Sequence, residues 1–353
     1  MVKFEMGLRK LSHVLRDRLR VIRKNVRRVL RLDRLTAATS RLPVSILIGA
    51  IWHAPARARI KFFRCATQRV PSAPPPLADC EIDSVDQFGA GYACLAAVLG
   101  HERKSPPAGE LEFLASVAVR RRDHRGAIAL TDSLFLTAFA SILAPRRVIE
   151  IGTLTGFSAG IIAAALARQH GSDGAARVDT IDVRTDCAID PNRSTGFEVA
   201  ELFSTVASMV HLHAPRDARF VAQLALENEL ELAFVDADHQ HPLPLLDLLW
   251  LAPYIQPAGW LLLHDIRLGT LTQQALDAGR KTAFQPVYGA EYLFAEWPFG
   301  KISGGNIGAV QLPQQKSALI PFALRMMRIP FELSQRQTGG VRRALYEAVA
   351  ALC

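Results

Sequence analysis

No apolar run in this chain of 353 residues reaches the roughly 18–20 residues that a membrane-spanning helix needs. The nearest, LPVSILIGAIWHA at 42–54, is short and contains Pro43 and His53. The charged region ahead of it is too long for a signal peptide, although an Arg-rich, acid-poor start also fits an organelle transit peptide. Cysteine is sparse: five residues (Cys65, Cys80, Cys94, Cys187 and Cys353), an odd number with no CxxC pair. That excludes a disulfide framework and a zinc site, and it fits a reducing, cytoplasmic compartment. Acidic residues are almost missing from the start. Residues 1–70 hold 18 Lys/Arg against Glu5, Asp17 and Asp33, a net of +15, while the rest of the chain is net −6. Such asymmetry points to a tail that meets an anionic surface, membrane or nucleic acid.

Half the residues are hydrophobic, enough for a sizeable core. Residues 4–32 read as one helix, with Leu8, Leu11, Leu15, Leu19, Ile22, Val26 and Val29 on one stripe and Arg crowding the other face. A basic amphipathic helix of this kind lies in a lipid interface or packs on its own protein. We therefore expect 1–75 to be a basic helical arm with a Pro-rich linker, VPSAPPPLADC, at its end. A helical lead-in follows over 76–109.

From Glu110 the pattern becomes regular. Helices are expected at 110–122 and 131–143, then strands at RVIEI, 178–183, 209–214, 230–237 and 259–266, with helices between them. Alternating β and α elements with Leu/Val/Ile-rich strands imply a parallel sheet covered on both faces, an α/β fold. A final strand pair is expected near 286–296 and 306–312, and a helical extension over 314–353.

The stretch RRVIEIGTLTGFSAGIIAAALA, 146–167, reads as strand, glycine turn, helix. A ligand in such a unit sits at the strand's carboxyl end against the helix N-terminus. Gly152, Gly156 and Gly160 do not follow the 0, 2, 5 spacing of the dinucleotide fingerprint, which argues against an oxidoreductase, and no Gly-Lys-Ser/Thr follows. Glu150, a carboxylate inside an apolar strand, needs a reason to be there. Asp182, at the tip of the second strand, is placed for ribose hydroxyls.

These residues resemble a family. EIGTLTGFSA is similar to the first motif of class I S-adenosylmethionine-dependent methyltransferases, in the O-methyltransferase branch of the catechol, caffeoyl-CoA and bacterial sugar or natural-product types. AFVDADHQHPLPLLDLLWLAPYIQPAGWLLLHDI, 233–266, resembles their fourth strand, following helix and fifth strand. The resemblance covers 110–313. It implies a Rossmann-like, doubly wound, mostly parallel seven-stranded sheet with helices on both faces, flanked by the basic helical N-terminal and the helical C-terminal extension.

By that resemblance, Glu150, Gly152, Thr153, Gly156, Ser158, Asp182 and Asp236 bind S-adenosyl-L-methionine, with Asp217 a candidate near the adenine. At the reacting end, DADHQH and HD bring Asp236, Asp238, His239, His241, His264 and Asp265 together. Asp236, His264 and Asp265 match the positions where metal-dependent relatives hold a divalent cation such as Mg²⁺ or Mn²⁺, although His264 stands where the plant and animal enzymes carry Asp. Without metal, His239 or His264 serves as general base, with Asp265 beside it. His211 and His213 are expected to be structural. Arg120, Arg121, Arg122 and Asp123 border the acceptor region or end a solvated helix; Trp297 walls the pocket or is core.

The expected activity is O-methylation of a hydroxyl on a small molecule, sugar or lipid-linked acceptor, on the inner face of a membrane if residues 1–70 bind anionic lipid. The alternative is a membrane-held scaffold with a catalytically silent fold. A nucleic-acid acceptor is disfavoured, because the Asn/Asp-Pro-Pro-aromatic element of base amino-methylating enzymes does not follow the fourth strand.

Overall fold

The computed structural model describes residues 44–54, 59–102, 105–120, 128–171, 176–224 and 230–353. By its contacts the chain divides into Met1–Arg41 with Thr67–Arg69, and Leu42–Ala66 with Val70–Cys353. The helix expected at 4–32 and the acceptor border at 121–123 lie outside the described residues.

Two helices open the second unit, α1 (Val44–His53) and α2 (Arg59–Ala66), followed by α3 (Phe88–Val98), α4 (Glu110–Arg120) and α5 (Leu130–Leu143). The alternation then begins: β1 (Arg147–Ile151), α6 (Phe157–His170), β2 (Arg177–Ile181), a small hairpin of β3 (Asp186–Cys187) and β4 (Asp190–Ser194), α7 (Phe197–Leu202), β5 (Val210–His213), β6 (Leu230–Val235), α8 (Leu243–Leu251) and β7 (Ile255–His264). The chain closes with α9 (Leu268–Asp277), α10 (Gly289–Ala295), β8 (Lys301–Gly304), β9 (Ile307–Gln311), α11 (Leu319–Met326) and α12 (Gln335–Ala351).

The main sheet has seven strands in the order β5-β2-β1-β6-β7-β9-β8. Its first five strands are parallel; β9 runs antiparallel to β7 and to β8. Apolar residues on both faces let the central strands be buried on both sides, and the period of two splits them between two cores. Ile149, Ile151, Ala233, Val235, Leu261 and Leu263 face one core, which α8, α11 and α12 cover together with Ala50, Phe62 and Ala66 of α1 and α2. Val148, Leu232, Phe234, Trp260 and Leu262 face the other, covered by α3, α4, α5 and α6.

One expected strand is a helix. Residues 286–296 contain α10, and the strand pair is β8 with β9. Ala290, Leu293, Phe294 and Trp297 recur at helical spacing and are all buried, so the aromatic content that reads as strand serves a helix face. Trp297 is fully buried core, its Nε1–H donating to the Gln311 carbonyl at 3.2 Å. The sheet reverses its winding between β1 and β6: β1 leads outward to β2 and β5, and β6 returns to β1's other side. The crevice at the carboxyl ends there is where such folds bind ligands.

Candidate active site

The glycine turn after β1 is built tightly. Gly152 has φ +97°, and a Cβ on it would stand 2.0 Å from the Asp236 carbonyl oxygen. A Cβ on Gly156, at φ +83°, would meet Val199 at 2.7 Å and Gly196 at 2.9 Å. Glycine is thus demanded by the neighbouring strand end and by α7. The close approach that requires glycine at both positions is within the protein.

Glu150 is completely buried at the end of β1. Its Oε2 accepts from the Thr180 hydroxyl at 2.5 Å, and the Thr153 hydroxyl donates to Thr180 at 2.6 Å. Its Oε1 has no donor in hydrogen-bond geometry. Burial pushes the Glu150 carboxyl up to about 8, against the opposing pull of the Ser158 and Thr180 hydroxyls. A buried carboxylate oxygen without a donor fits a cationic amino group, and the Ser158 hydroxyl, in the first turn of α6, acts on the same carboxyl. Asp182 closes the turn: its Oδ2 accepts from the amides of Thr153 (3.0 Å) and Leu154 (3.1 Å), and its Oδ1 from Arg184 N (2.9 Å). These bonds hold the loop in place while leaving the carboxylate at the strand tip. Asp217 caps the following 3-10 turn, Ala218–Gln223, and pairs with Arg219; with Pro215, Arg216 and Phe220 it lines a surface pocket.

At the ends of β6 and β7 the polar groups divide into two layers. In front lie Asp236, His239 and Asp265, with one ligand atom from each within 4.8 Å of the others. His239 Nε2 stands 3.1 Å from Asp265 Oδ2 and 4.0 Å from Asp236 Oδ1. Behind them His264 is clamped: Nδ1 lies 3.0 Å from Asp236 Oδ1, and Nε2 lies 3.1 Å from Asp132 Oδ2. Burial works against the His264 charge, but Asp236, Asp265 and Asp132 outweigh it and raise its pKa well above the ordinary value. Burial likewise favours protonation of Asp236, yet His264 and then His239 hold its carboxyl below the usual range.

Both His264 ring nitrogens thus face carboxylates, Nδ1 toward Asp236 and Nε2 toward Asp132, and the three side chains within reach of one cation include His239 in place of His264. The set that geometry assembles is Asp236, His239 and Asp265.

Asp132 was not among the residues singled out from sequence, although a buried acid in the first turn of an apolar helix was a legible signal. Asn306 was also missed. Its Nδ2 donates to Asp265 Oδ1 at 2.6 Å, and its Oδ1 accepts from Arg267 N at 3.1 Å. It thereby fixes Asp265, a non-glycine residue at φ +61°. His241 turns away from the site: it is buried, and its Nε2 donates to the Met326 carbonyl at 3.2 Å. Burial lowers its pKa to about 4, so it is neutral. Asp238 caps its own loop through the Gln240 amide. His213 bonds the buried Asp179 at 2.7 Å, a structural contact, and His211 is exposed on β5.

Residues 149–266 match the model of a family described as a methyltransferase domain. No curated protein matches the chain by sequence. Among solved structures, cofactor-bound Rv0187 from MTB is 20% identical, with 63% of this chain and 95% of that chain covered at a TM-score of 0.40. The O-methyltransferase from Bacillus cereus in complex with SAH is 18% identical, with 65% and 100% covered at 0.38. The O-methyltransferase TomG from Streptomyces achromogenes, in complex with SAM, is 18% identical, with 65% and 99% covered at 0.35. Residues 149–266, which hold the glycine turn, the carboxylates that end β1 and β2 and the strand ends of β6 and β7, are thus similar to a methyltransferase domain.

Proposed function

We propose that the chain O-methylates a hydroxyl of a small molecule, a sugar or a lipid-linked acceptor, and that His239 removes the hydroxyl proton. The observation that carries this reading is the His239–Asp265 pair. The imidazole is partly exposed and stands 3.1 Å from a carboxylate, on the strand ends next to the β1 turn. S-adenosylmethionine supplies a methyl group already activated on a sulfonium. Glu150 would hold its amino end, the N-terminal turn of α6 with Ser158 its carboxylate end, and Asp182 its ribose hydroxyls. His239 takes the acceptor proton as the oxygen attacks in line; Asp265 orients the ring and stabilises the imidazolium that forms. Asn306 keeps Asp265 in register. The His264 imidazolium faces the acceptor side from behind Asp236 and favours developing negative charge on the oxygen.

A divalent cation fits the same three side chains. Two carboxylates and an imidazole suit Mn²⁺ or, less well, Mg²⁺, and the cation would polarise the acceptor hydroxyl as a Lewis acid. Asp236, His239 and Asp265 would hold it, with His264 fixing the Asp236 carboxylate from the other side. The test is transfer of labelled methyl from S-adenosylmethionine to a panel of phenols, sugars and lipid-linked glycans, run with and without EDTA. Transfer to a hydroxyl that is lost in His239→Ala supports the reading; no transfer to any hydroxyl of the panel, or transfer that survives undiminished in His239→Ala, sinks it.

We further infer that residues 1–41 bring the enzyme to an anionic lipid surface. The basis is the charge and the apolar stripe of the sequence. No described helix is long and apolar enough to cross a membrane.

A further inference from the structure

The lead-in between the Pro-rich segment and the first domain helix carries two of the five cysteines, and their sulfurs meet. Cys80 Sγ lies 2.6 Å from Cys94 Sγ. Cys80 is buried and Cys94 half-buried. The two anchor different elements. Cys80 ends a short extended segment laid along β8: the amides of Leu77 and Cys80 donate to the carbonyls of Lys301 and Ser303, each at 2.7 Å, and the Ser303 amide donates to the Ala78 carbonyl at 3.0 Å. Cys94 sits on α3, whose residues Phe88, Tyr92, Leu95 and Ala96 share a core with α5. The β8–β9 turn that the segment borders delivers Asn306 to Asp265, and α5 delivers Asp132 to His264. The pair therefore bridges the two supports of the acceptor site.

We propose that Cys80 and Cys94 are an oxidative modification site, a dithiol that closes to an intramolecular disulfide with a disulfide-class oxidant such as glutathione disulfide. Cys94 is the less buried residue of the two, and we assign it as the sulfur that meets the oxidant. Its thiolate attacks one sulfur of the oxidant, breaking that S–S bond and releasing one glutathione thiol. The Cys80 sulfur then attacks Cys94 Sγ, forming the protein S–S bond and releasing the second glutathione, which takes up the Cys80 proton. Two cysteines are oxidised and one glutathione disulfide is reduced. The sulfurs already stand only a fraction of an ångström beyond the ~2.05 Å of a covalent S–S bond, so neither backbone has to travel. Burial raises the Cys80 thiol far above its ordinary pKa, which makes Cys94 the entering group and Cys80 the resolving one. A single pair in a chain of five is compatible with a reducing compartment: it is a reversible closure, not a framework. The staple ties the 77–80 segment and α3 together in the folded state and restricts the unfolded chain.

The test uses the full-length protein, incubated with excess glutathione disulfide and then alkylated. No Lys or Arg lies between Val70 and Arg103, so trypsin leaves both cysteines in one peptide. The expected result is that this peptide loses two hydrogens and carries no alkyl group, while free thiols fall from five to three. Dithiothreitol should restore both. Cys80→Ala should stop at a glutathione adduct on Cys94, and Cys94→Ala should leave Cys80 unreacted. The oxidised wild type should melt several degrees above the reduced protein, a rise that Cys94→Ala does not show. Retention of five thiols, an adduct on Cys94 that never resolves in the wild type, or a disulfide joining other cysteines would each overturn the proposal. None of these readouts depends on the methyl acceptor.

Discussion

His264 Nε2 reaches Asp132 Oδ2 at 3.1 Å across 132 positions of sequence, joining the end of β7 to the first turn of α5. The bond holds the His264 imidazole between two carboxylates, Asp132 and Asp236. It also means that the acceptor side of the site depends on a helix from outside the matched region, which begins at residue 149.

Asp132→Ala leaves the imidazolium buried with only the Asp236 side paired. Breaking one partner of a buried charge pair costs about 3–5 kcal/mol. Urea unfolding should show that loss, whereas Asp132→Asn, which keeps an acceptor, should lose less. Equal, near-zero losses in both variants would place the His264 charge elsewhere.

The Glu150 carboxyl couples the protein to pH. Its value in the folded state, about 8, stands above its ordinary 4.5. The folded state thus holds the proton more tightly than the unfolded one. The stability this contributes is fully present below 4.5 and is lost as pH rises through about 8. Glu150→Gln should flatten that decline. The amino group of the cofactor favours the ionised carboxylate, so binding S-adenosylhomocysteine at neutral pH should release a proton. Calorimetry in buffers of different ionisation enthalpy measures the release, and it should vanish in Glu150→Gln.

Gly152→Ala should destabilise the fold instead of merely blocking a pocket. Its Cβ would collide with the Asp236 carbonyl, and φ +97° is foreign to an alanine. Thermal unfolding without any ligand should show the loss, on the order of 1–3 kcal/mol for a strained backbone position. A variant that melts like the wild type but fails to bind cofactor would show that Gly152 serves the ligand and not the fold.

Much of this fold is legible in sequence. The apolar strands and the strand–turn–helix at 146–167 announce the parallel sheet, because burial on both faces leaves no polar alternation to confuse the period. The site is legible where chemistry is local: Glu150 stands out as an acid in an apolar strand, and Asp236, His239 and Asp265 sit at strand ends. What the sequence hides is long-range pairing. Nothing near His264 announces Asp132, and nothing near Asp265 announces Asn306. Residues 44–66 and 319–351 look like appendages, yet Ala50, Phe62, Phe322, Leu345 and Val349 are buried in the same core as the sheet. Their partners lie hundreds of positions apart, and periodicity reports a face without saying what covers it.

That packing sets the boundary for dissecting the arm. Deletion of 1–70 would remove Phe62 and Ala66 from the core, so truncation belongs before Leu42. Removing 1–41 should leave S-adenosylhomocysteine affinity unchanged and abolish co-sedimentation with anionic liposomes at low salt. Liposome binding that survives the truncation would contradict the assignment of the membrane contact to the arm.

His239→Ala and Asp265→Ala should lower turnover roughly 10²–10⁴-fold, the usual contribution of a positioned acid–base group, with cofactor affinity little changed. EDTA should reduce the wild-type rate if a cation occupies Asp236, His239 and Asp265, and Mn²⁺ should restore it. A chelated enzyme at full speed would leave His239 to act alone as base.

Titration of S-adenosylhomocysteine into the wild type and Asp182→Ala tests the central claim most directly. The wild type should bind one molecule per chain. Asp182→Ala should bind at least about tenfold more weakly, since each charge-assisted bond to the ribose contributes roughly 1.5–3 kcal/mol. No detectable binding by the wild type, or equal affinity in both proteins, would contradict a cofactor site at the ends of β1 and β2.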